Sequence, residues 1–497
     1  MVAKSLLSVC EIYGKLSFIV DIIEDMEVKF EKISENKYRL EKDPSMNADA
    51  IFYASEKILP LVTRDLSLLQ LKQTAALPEL VSPVLGMPDM HEGYGIPVGG
   101  IMVSSRIVSA GCVGMDINCG VRLLRCGVCY DEKLFSRERL LELTRNIEEV
   151  IPMGLGSKHP RIKDVEIEGV VLNGARYLVE KGDGSKKDLE FCEEQGMISG
   201  ANVSALSRKA LIRAGKEIGT LGSGNHFLEI QRVDKIYDKK IADNFGLSKD
   251  MLSFMIHSGS RALGHQTCID YTNIFFAKNK NIHPGLVPVR NLASAYIDSE
   301  EGKSYLEAMN GAINFAFANR QMMTNSFRKV FESFGRKYGF GAEVELVYDV
   351  AHNSAKWEKH SGKKVLVHRK GATRALPSGH SDNPKIYKDT GHPAFVPGSM
   401  GTASYVLVGC RKAYETFFSV NHGSGRAMSR TEARRKISQE EFEKQMRGIV
   451  FNRPYKVVVD EAPMAYKNVE DVINVLADIG ITKKVVRLVP LAVMKGD

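Results

Sequence analysis

No stretch of this sequence approaches the roughly 20 consecutive apolar residues that a membrane span requires. The apolar N-terminal run is broken by Glu11 and Lys15, and no small-residue cleavage site follows it, which argues against a secretory leader. A cytoplasmic protein without a membrane partner is expected. Cysteine is sparse: eight residues, at 10, 112, 119, 126, 129, 192, 268 and 410, do not make a disulfide framework in a chain this long. Reduced thiols are therefore available as metal ligands. Charge of one sign is scarce too. The 68 Lys and Arg exceed the 60 Asp and Glu by only 8, a mild excess that admits a polyanionic partner without demanding one. Internal repeats, low-complexity tracts and Pro/Ser-rich linkers are missing, and neither a Walker loop nor a Rossmann fingerprint occurs.

What is present is a 497-residue chain, 44% apolar, able to bury a large core. Lys37–Leu40 and Ala50–Tyr53 alternate as strands do, and Leu66–Gln73 suits a helix. From Met87 glycine becomes frequent, in MPDMHEGYGIPVGGIM and GCVGMDINCGVRLL. VRLLRCGVC then reads as a buried strand, and Asp131–Val150 as an amphipathic helix with Leu140, Leu143, Ile147 and Val150 on one face. Residues 181–202 are polar and glycine-bearing, as in a surface excursion. Lys303–Phe334 predicts a long helix or helix pair, Ser438–Glu441 opens another through a capping box, and Asn468–Ile479 predicts a third. Strands and helices mix without a strict βαβ rhythm, so the expected class is α+β. Glycine–histidine motifs spread from Asp89 to His422, which favours one large catalytic domain over residues 81–497, with an N-terminal α/β portion, residues 1–80, packed on it.

Asp116 and Cys119 stand three residues apart on a glycine-flanked turn and can converge on one cation of the Zn²⁺ or Mn²⁺ type. A turn aspartate beside a structural cysteine is the competing reading. His226 (LGSGNHFLEI), His257 (FMIHSGSR) and His352 (VYDVAHNSA) each follow or interrupt an apolar run amid small residues. That is how strand ends deliver ligands, although a lone histidine of this kind is more often a hydrogen-bonded core residue. Three of them with Asp116 and Cys119 exceed one tetrahedral site and suit two adjacent metals bridged by thiolate. The sharing of ligands between the metals cannot be read from spacing. Cys126 and Cys129 form a CxxC on an apolar strand with no second pair, and read as core.

His422 precedes Gly-Ser-Gly-Arg. The glycines expose backbone N–H groups and Arg426 can pair with phosphate, so the imidazole suits a nucleophile at phosphorus, a general acid or a further ligand. A glycine turn carrying a surface histidine is the plainer alternative. Pro397–Ser404 (PGSMGTAS) is a second loop able to hold phosphate or ribose. Arg369, Lys370 and Arg374, and Arg426, Arg430 and Arg434–Lys436, are the densest basic stretches, either solvated faces or a nucleic-acid contact. His91 and the glycines of HEGYGIPVGG read as packing features, and Asp460–Glu461 as a helix entry.

Together MPDMHEGYG, GMDINCGVRL, LGSGNHFLE, MIHSGSR, YDVAHN, HRKGATRA, PGSMGTASYVL, NHGSGR and LAVMKGD resemble the RtcB-type, or tRNA-splicing, RNA ligase family, in the family's order from about Met87 to Lys495. Glu92 and Ser424 depart from its common pattern, and residues 1–80 match no motif of it. The resemblance implies a GTP- and Mn²⁺-dependent ligase. Such an enzyme joins RNA 3′-phosphate or 2′,3′-cyclic phosphate ends to 5′-hydroxyl ends through a histidine–GMP intermediate. It implies that His422 is guanylylated. Asp116, Cys119 and His226 would hold one Mn²⁺, and Cys119, His257 and His352 a second. Asn225, His226, Glu229, His352, Asn353, Pro397, Gly398, Ser399, Met400, Ser404, His422, Gly423, Ser424, Gly425 and Lys495 match guanylate-binding positions. RNA, GTP and an activating protein of the archease type are the implied partners. The alternatives are a dinuclear-metal phosphohydrolase or cyclic phosphodiesterase acting on RNA ends, and a non-catalytic metal-stabilised RNA-binding factor.

Overall fold

Alternation fixes the first strands. In Lys37–Leu40, Tyr38 and Leu40 turn inward while Arg39 faces solvent. The computed structural model of the chain describes residues 28–154, 156–161, 163 and 165–496; the N-terminal run and Cys10 lie outside them. A seven-stranded sheet takes the order Phe30–Ser34, Lys37–Leu40, Ala50–Tyr53, Val84–His91, Val98–Ser104, Lys363–Lys370, Asn353–His360. Its neighbours run antiparallel except Ala50–Tyr53 against Val84–His91. A second, eight-stranded sheet takes the order Val344–Ala351, Gly120–Cys129, Met251–Ser258, Phe227–Ile236, Thr482–Met494, Ser404–Gly409, Ala394–Val396, with Val450–Phe451 pairing parallel to Thr482–Met494. The result is a single mixed α/β domain with several sheets.

The long helix forms as one piece, Glu300–Tyr338, and ends on Gly339 in the left-handed conformation. Its 39 residues span roughly 58 Å at 1.5 Å per residue. The first half buries Met309, Ile313 and Phe317 with the helices Ile167–Glu180 and Arg261–Asn279. The second half buries Phe327, Phe331 and Phe334 against the eight-stranded sheet and the helix Arg137–Val150. That last helix starts at the N-cap Ser136, five residues after the expected start at Asp131, because the Ser136 hydroxyl accepts the Arg139 N–H. The capping box at Ser438 is present, and Asn468 caps Val469–Asp478.

Three readings change. Residues 181–202 are not a plain surface loop: Asp183, Asp188 and Glu193 are buried, and Arg328 and Lys356 pair with the latter two at 2.7 and 2.8 Å. The CxxC splits, with Cys126 in the core and Cys129 exposed past a register shift in its strand. Arg369, Lys370 and Arg374 do not form a surface basic patch. Arg369 is buried against Glu358, the Lys370 ammonium donates to the Ile96 carbonyl at 2.7 Å, and Arg374 pairs with Asp382 at 2.8 Å.

Candidate active site

Four neighbouring strands of the eight-stranded sheet end at one level. The register aligns Ala351 with Gly120, Gly120 with Ser258, and His257 with Phe227. With strands about 4.8 Å apart, Cys119, His226, His257 and His352 are forced together just beyond or at those ends. His352 also marks where the chain leaves this sheet for the seven-stranded one, so the cluster lies at the seam. The DINC turn closes onto it: Asn118 donates its N–H to the Asn353 carbonyl at 2.6 Å, and the Cys119 carbonyl accepts from His352 at 2.9 Å. Asn118 takes φ +55°, the left-handed value that lets Asp116 and Cys119 face the same way.

The Cys119 sulfur lies 3.3 Å from His226 Nε2 and 3.2 Å from His257 Nε2, and His257 Nε2 lies 3.3 Å from His352 Nε2. Asp116 Oδ2 is 2.8 Å from His226 Nε2. Gly259 permits this approach, since a Cβ there would sit 2.5 Å from the Asp116 carboxylate. His257 Nδ1 is 3.2 Å from the Asn225 carbonyl, which fixes its proton on Nδ1 and leaves a lone pair on Nε2. Nitrogen and sulfur donors meeting at such distances are a donor set that fits a soft or borderline cation. Cys119, His226 and His257 form a buried group with the spacing a metal ion needs. Burial pushes His257 and His352 well below the ordinary imidazole range, and neighbouring imidazoles add to this, so both stay neutral and ligand-ready. Burial opposes ionisation of Asp116, but its hydrogen bond to His226, with that charge and Arg261, holds it well below the usual carboxylate range.

His422 follows the strand Ser419–Asn421, and its ring centroid lies 4.7 Å from that of His352. Asp89 Oδ2 meets His422 Nδ1 at 2.7 Å and accepts the N–H groups of His422 and Gly423. Nδ1 therefore carries the proton, and Nε2 keeps its lone pair. Gly425, at φ +71°, lets this turn pass the Asp89 backbone, where a Cβ would meet the carbonyl oxygen at 2.1 Å.

A cavity of about 300 Å³ lies over these groups. Of the residues singled out in the sequence, Asp116, Cys119, Asn225, Glu229, His257, His352, Asn353, Pro397, Gly398, Ser399, Met400, His422, Gly423, Ser424, Gly425 and Lys495 line it. His226 and Ser404 sit behind that wall: His226 touches Cys119, and the Ser404 hydroxyl accepts from Gly398 N–H at 3.2 Å. Asn353 spends its amide on the Asp116 carbonyl and the Gly371 N–H, so it braces two turns. The buried Ser424 hydroxyl has no partner within the described residues. Burial raises Glu229 to about 8 against the opposing pull of Gln231 and Lys495.

Sequence reasoning missed Asp89, Arg261 and Glu461. Asp89 lies 333 residues from His422, a separation at which no spacing rule operates. Arg261 reaches His226 Nδ1 at 3.0 Å. Glu461 lies in the short helix Val459–Glu461, as the helix-entry reading expects, and does more there. It is buried among Arg426 at 3.2 Å, Lys495 at 3.5 Å and Arg430 at 3.6 Å, a carboxylate hub that aligns cations on the cavity wall. The paired acids at 460–461 were the one available signal. Part of the stretch Arg426–Arg434 is thus internally neutralised.

Fold and cluster define a mixed α/β protein with a buried metal-ready site opening on a nucleotide-sized cavity. A family model described as tRNA-splicing ligase RtcB matches residues 70–496. The tRNA-splicing ligase RtcB of Thermococcus kodakarensis is 42% identical over 482 residues, covering 94% of this chain and 99% of the relative. That of Archaeoglobus fulgidus is 42% identical over 486 residues, 95% and 100% of the two chains. The RNA-splicing ligase RtcB of Mycobacterium bovis is 41% identical over 441 residues, 86% and 100%. The chain belongs to the tRNA-splicing ligase RtcB family.

Proposed function

We propose that this protein is a GTP- and Mn²⁺-dependent ligase of RNA ends, with His422 as the nucleophile. The observation that carries the reading is the pairing of Asp89 with His422 Nδ1, which leaves Nε2 free beside the histidine–cysteine cluster. In this reading Nε2 attacks the α-phosphorus of GTP, a P–N bond forms and pyrophosphate leaves. The guanylyl group then passes to an RNA 3′-phosphate, and a 5′-hydroxyl displaces GMP. Asp116, Cys119, His226, His257 and His352 would hold two ions with Cys119 shared. Such ions supply Lewis-acid polarisation of phosphate oxygens. Asp89 fixes the His422 tautomer and stabilises the ring as charge develops on it. In the Pro397–Met400 and His422–Gly425 turns the N–H groups of Gly398, Ser399, His422 and Gly423 are spent on Ser404, Thr402 and Asp89, so phosphate would meet those of Met400, Ser424 and Gly425. Glu229 and Lys495 on the cavity wall, with Ser404 behind it, would hold the guanylate. RNA and an archease-type activating protein complete the proposed partners, in a cytoplasmic setting. No helix among the described residues is long and apolar enough to cross a membrane.

Incubation with GTP labelled at the α-phosphate and Mn²⁺, followed by a denaturing gel, tests the reading. Acid-labile label should appear on the wild type and vanish in His422→Ala. A wild-type protein that takes no label across a series of divalent metals would overturn it.

A further inference from the structure

A second cavity, of about 680 Å³, abuts the first, and His91 and Arg426 line both. We propose that this second cavity seats the terminal nucleotides of an RNA strand delivered to His422. The inference rests on the RNA-ligase reading above. The first cavity has room for about one nucleotide. Once a guanylate fills it, polymer must lie outside, and the adjoining cavity is where the shared wall leads.

The chemistry of the second cavity suits RNA. Leu61 and Met428 give it an apolar surface on which a base can rest. Arg64 spends its guanidinium on Glu432 at 2.7 Å, and Arg426 is tied to Glu461. Arg435 is exposed and makes no hydrogen bond or ion pair among the described residues, so it is a donor held open for phosphate. None of the lining acids pairs with it. Asp65 accepts the N–H groups of Glu92 and Ser67 at 2.8 and 2.9 Å, and Glu432 is neutralised by Arg64 and Lys436. Glu92 remains an exposed acceptor for a ribose 2′-hydroxyl or a base amino group. One side of this cavity, Leu61–Asp65, precedes the region matched by the family model, so the N-terminal segment would help choose the RNA.

The test is fluorescence anisotropy of labelled single-stranded RNA bound to full-length protein, across a salt series. One RNA ends in a 3′-phosphate and the other in a 5′-hydroxyl, so the two arms tell which strand occupies the cavity. Arg435→Glu and Thr431→Glu change exposed side chains within it, and Lys363→Glu repeats the charge change of Arg435→Glu on an exposed lysine lining neither cavity. Arg435→Glu and Thr431→Glu should each weaken one strand about tenfold, and Lys363→Glu less than about twofold. Arg435→Ala should reduce the slope of log affinity against log salt by about 0.7, the loss of one single-strand phosphate contact. Equal weakening in all the Glu variants, or none, overturns the proposal. A wild type that takes no label from GTP overturns the ligase reading instead, and the binding arm still decides the cavity.

Discussion

Asp89 grips His422 through three acceptor contacts on one carboxylate oxygen, so Asp89→Asn should disturb the tautomer while leaving the metal cluster untouched. Transfer of label from GTP should slow by about 10²–10⁴-fold, with metal affinity unchanged in a titration. Slowing of less than about threefold would show that the ring needs no such anchor. Glu229 offers a test by pH. Raised to about 8 by burial, it holds its proton at neutral pH in the free protein. Guanine presents N–H donors, which favour the carboxylate. Binding should therefore expel a proton, and affinity for GTP should rise as pH climbs toward about 8 and level off above it. Calorimetry in two buffers of different ionisation enthalpy reads the proton release, and Glu229→Gln should abolish it.

Within single elements, the midpoint of the 39-residue helix bears most directly on the site. Arg320 is fully buried, donates to the Asn118 and Ser258 carbonyls at 2.8 and 2.9 Å, and pairs with Asp349 at 2.8 Å. It thus pins the DINC turn to the end of the strand that carries His257. Arg320→Met should cost about 3–5 kcal/mol in urea unfolding, because one partner of a buried pair is removed. It should also weaken metal binding, which separates a brace on the site from one on the core alone. The sequence announces the helix by its apolar spacing, yet hides this role, since a polar residue inside a helix gives no sign of its partner. The strand-end histidines are legible because glycine, serine and asparagine around them leave a local texture. Their adjacency is not, because Val344–Ala351 and Gly120–Cys129 pair across more than two hundred residues. The same blindness makes Arg369 look like a phosphate ligand, for its partner Glu358 sits on the neighbouring strand of the hairpin.

Across the whole molecule the cluster is fed by strands from a single sheet end, so an ion there should stabilise the fold globally. At a hundredfold excess over Kd, the gain is about 2.7 kcal/mol. A thermal scan with Mn²⁺ should therefore show a higher Tm than one with chelator, and Cys119→Ala should shrink the difference. Equal melting in both would mean that the cluster binds no cation tightly. The register that brings the ligands together has a kinetic corollary. Thr482–Met494 lies inside the eight-stranded sheet, hydrogen-bonded to Phe227–Ile236 on one side and Ser404–Gly409 on the other. Pairing across such sequence separations is slow, because loop closure precedes any reward. In refolding, helical signal should return early and competence to bind cation late, in step with the closing of that sheet. A stalled chain would then expose the Cys119 thiol that the finished fold buries, so oxidation of this cysteine belongs to folding time, whereas the exposed Cys129 is open in the finished state as well.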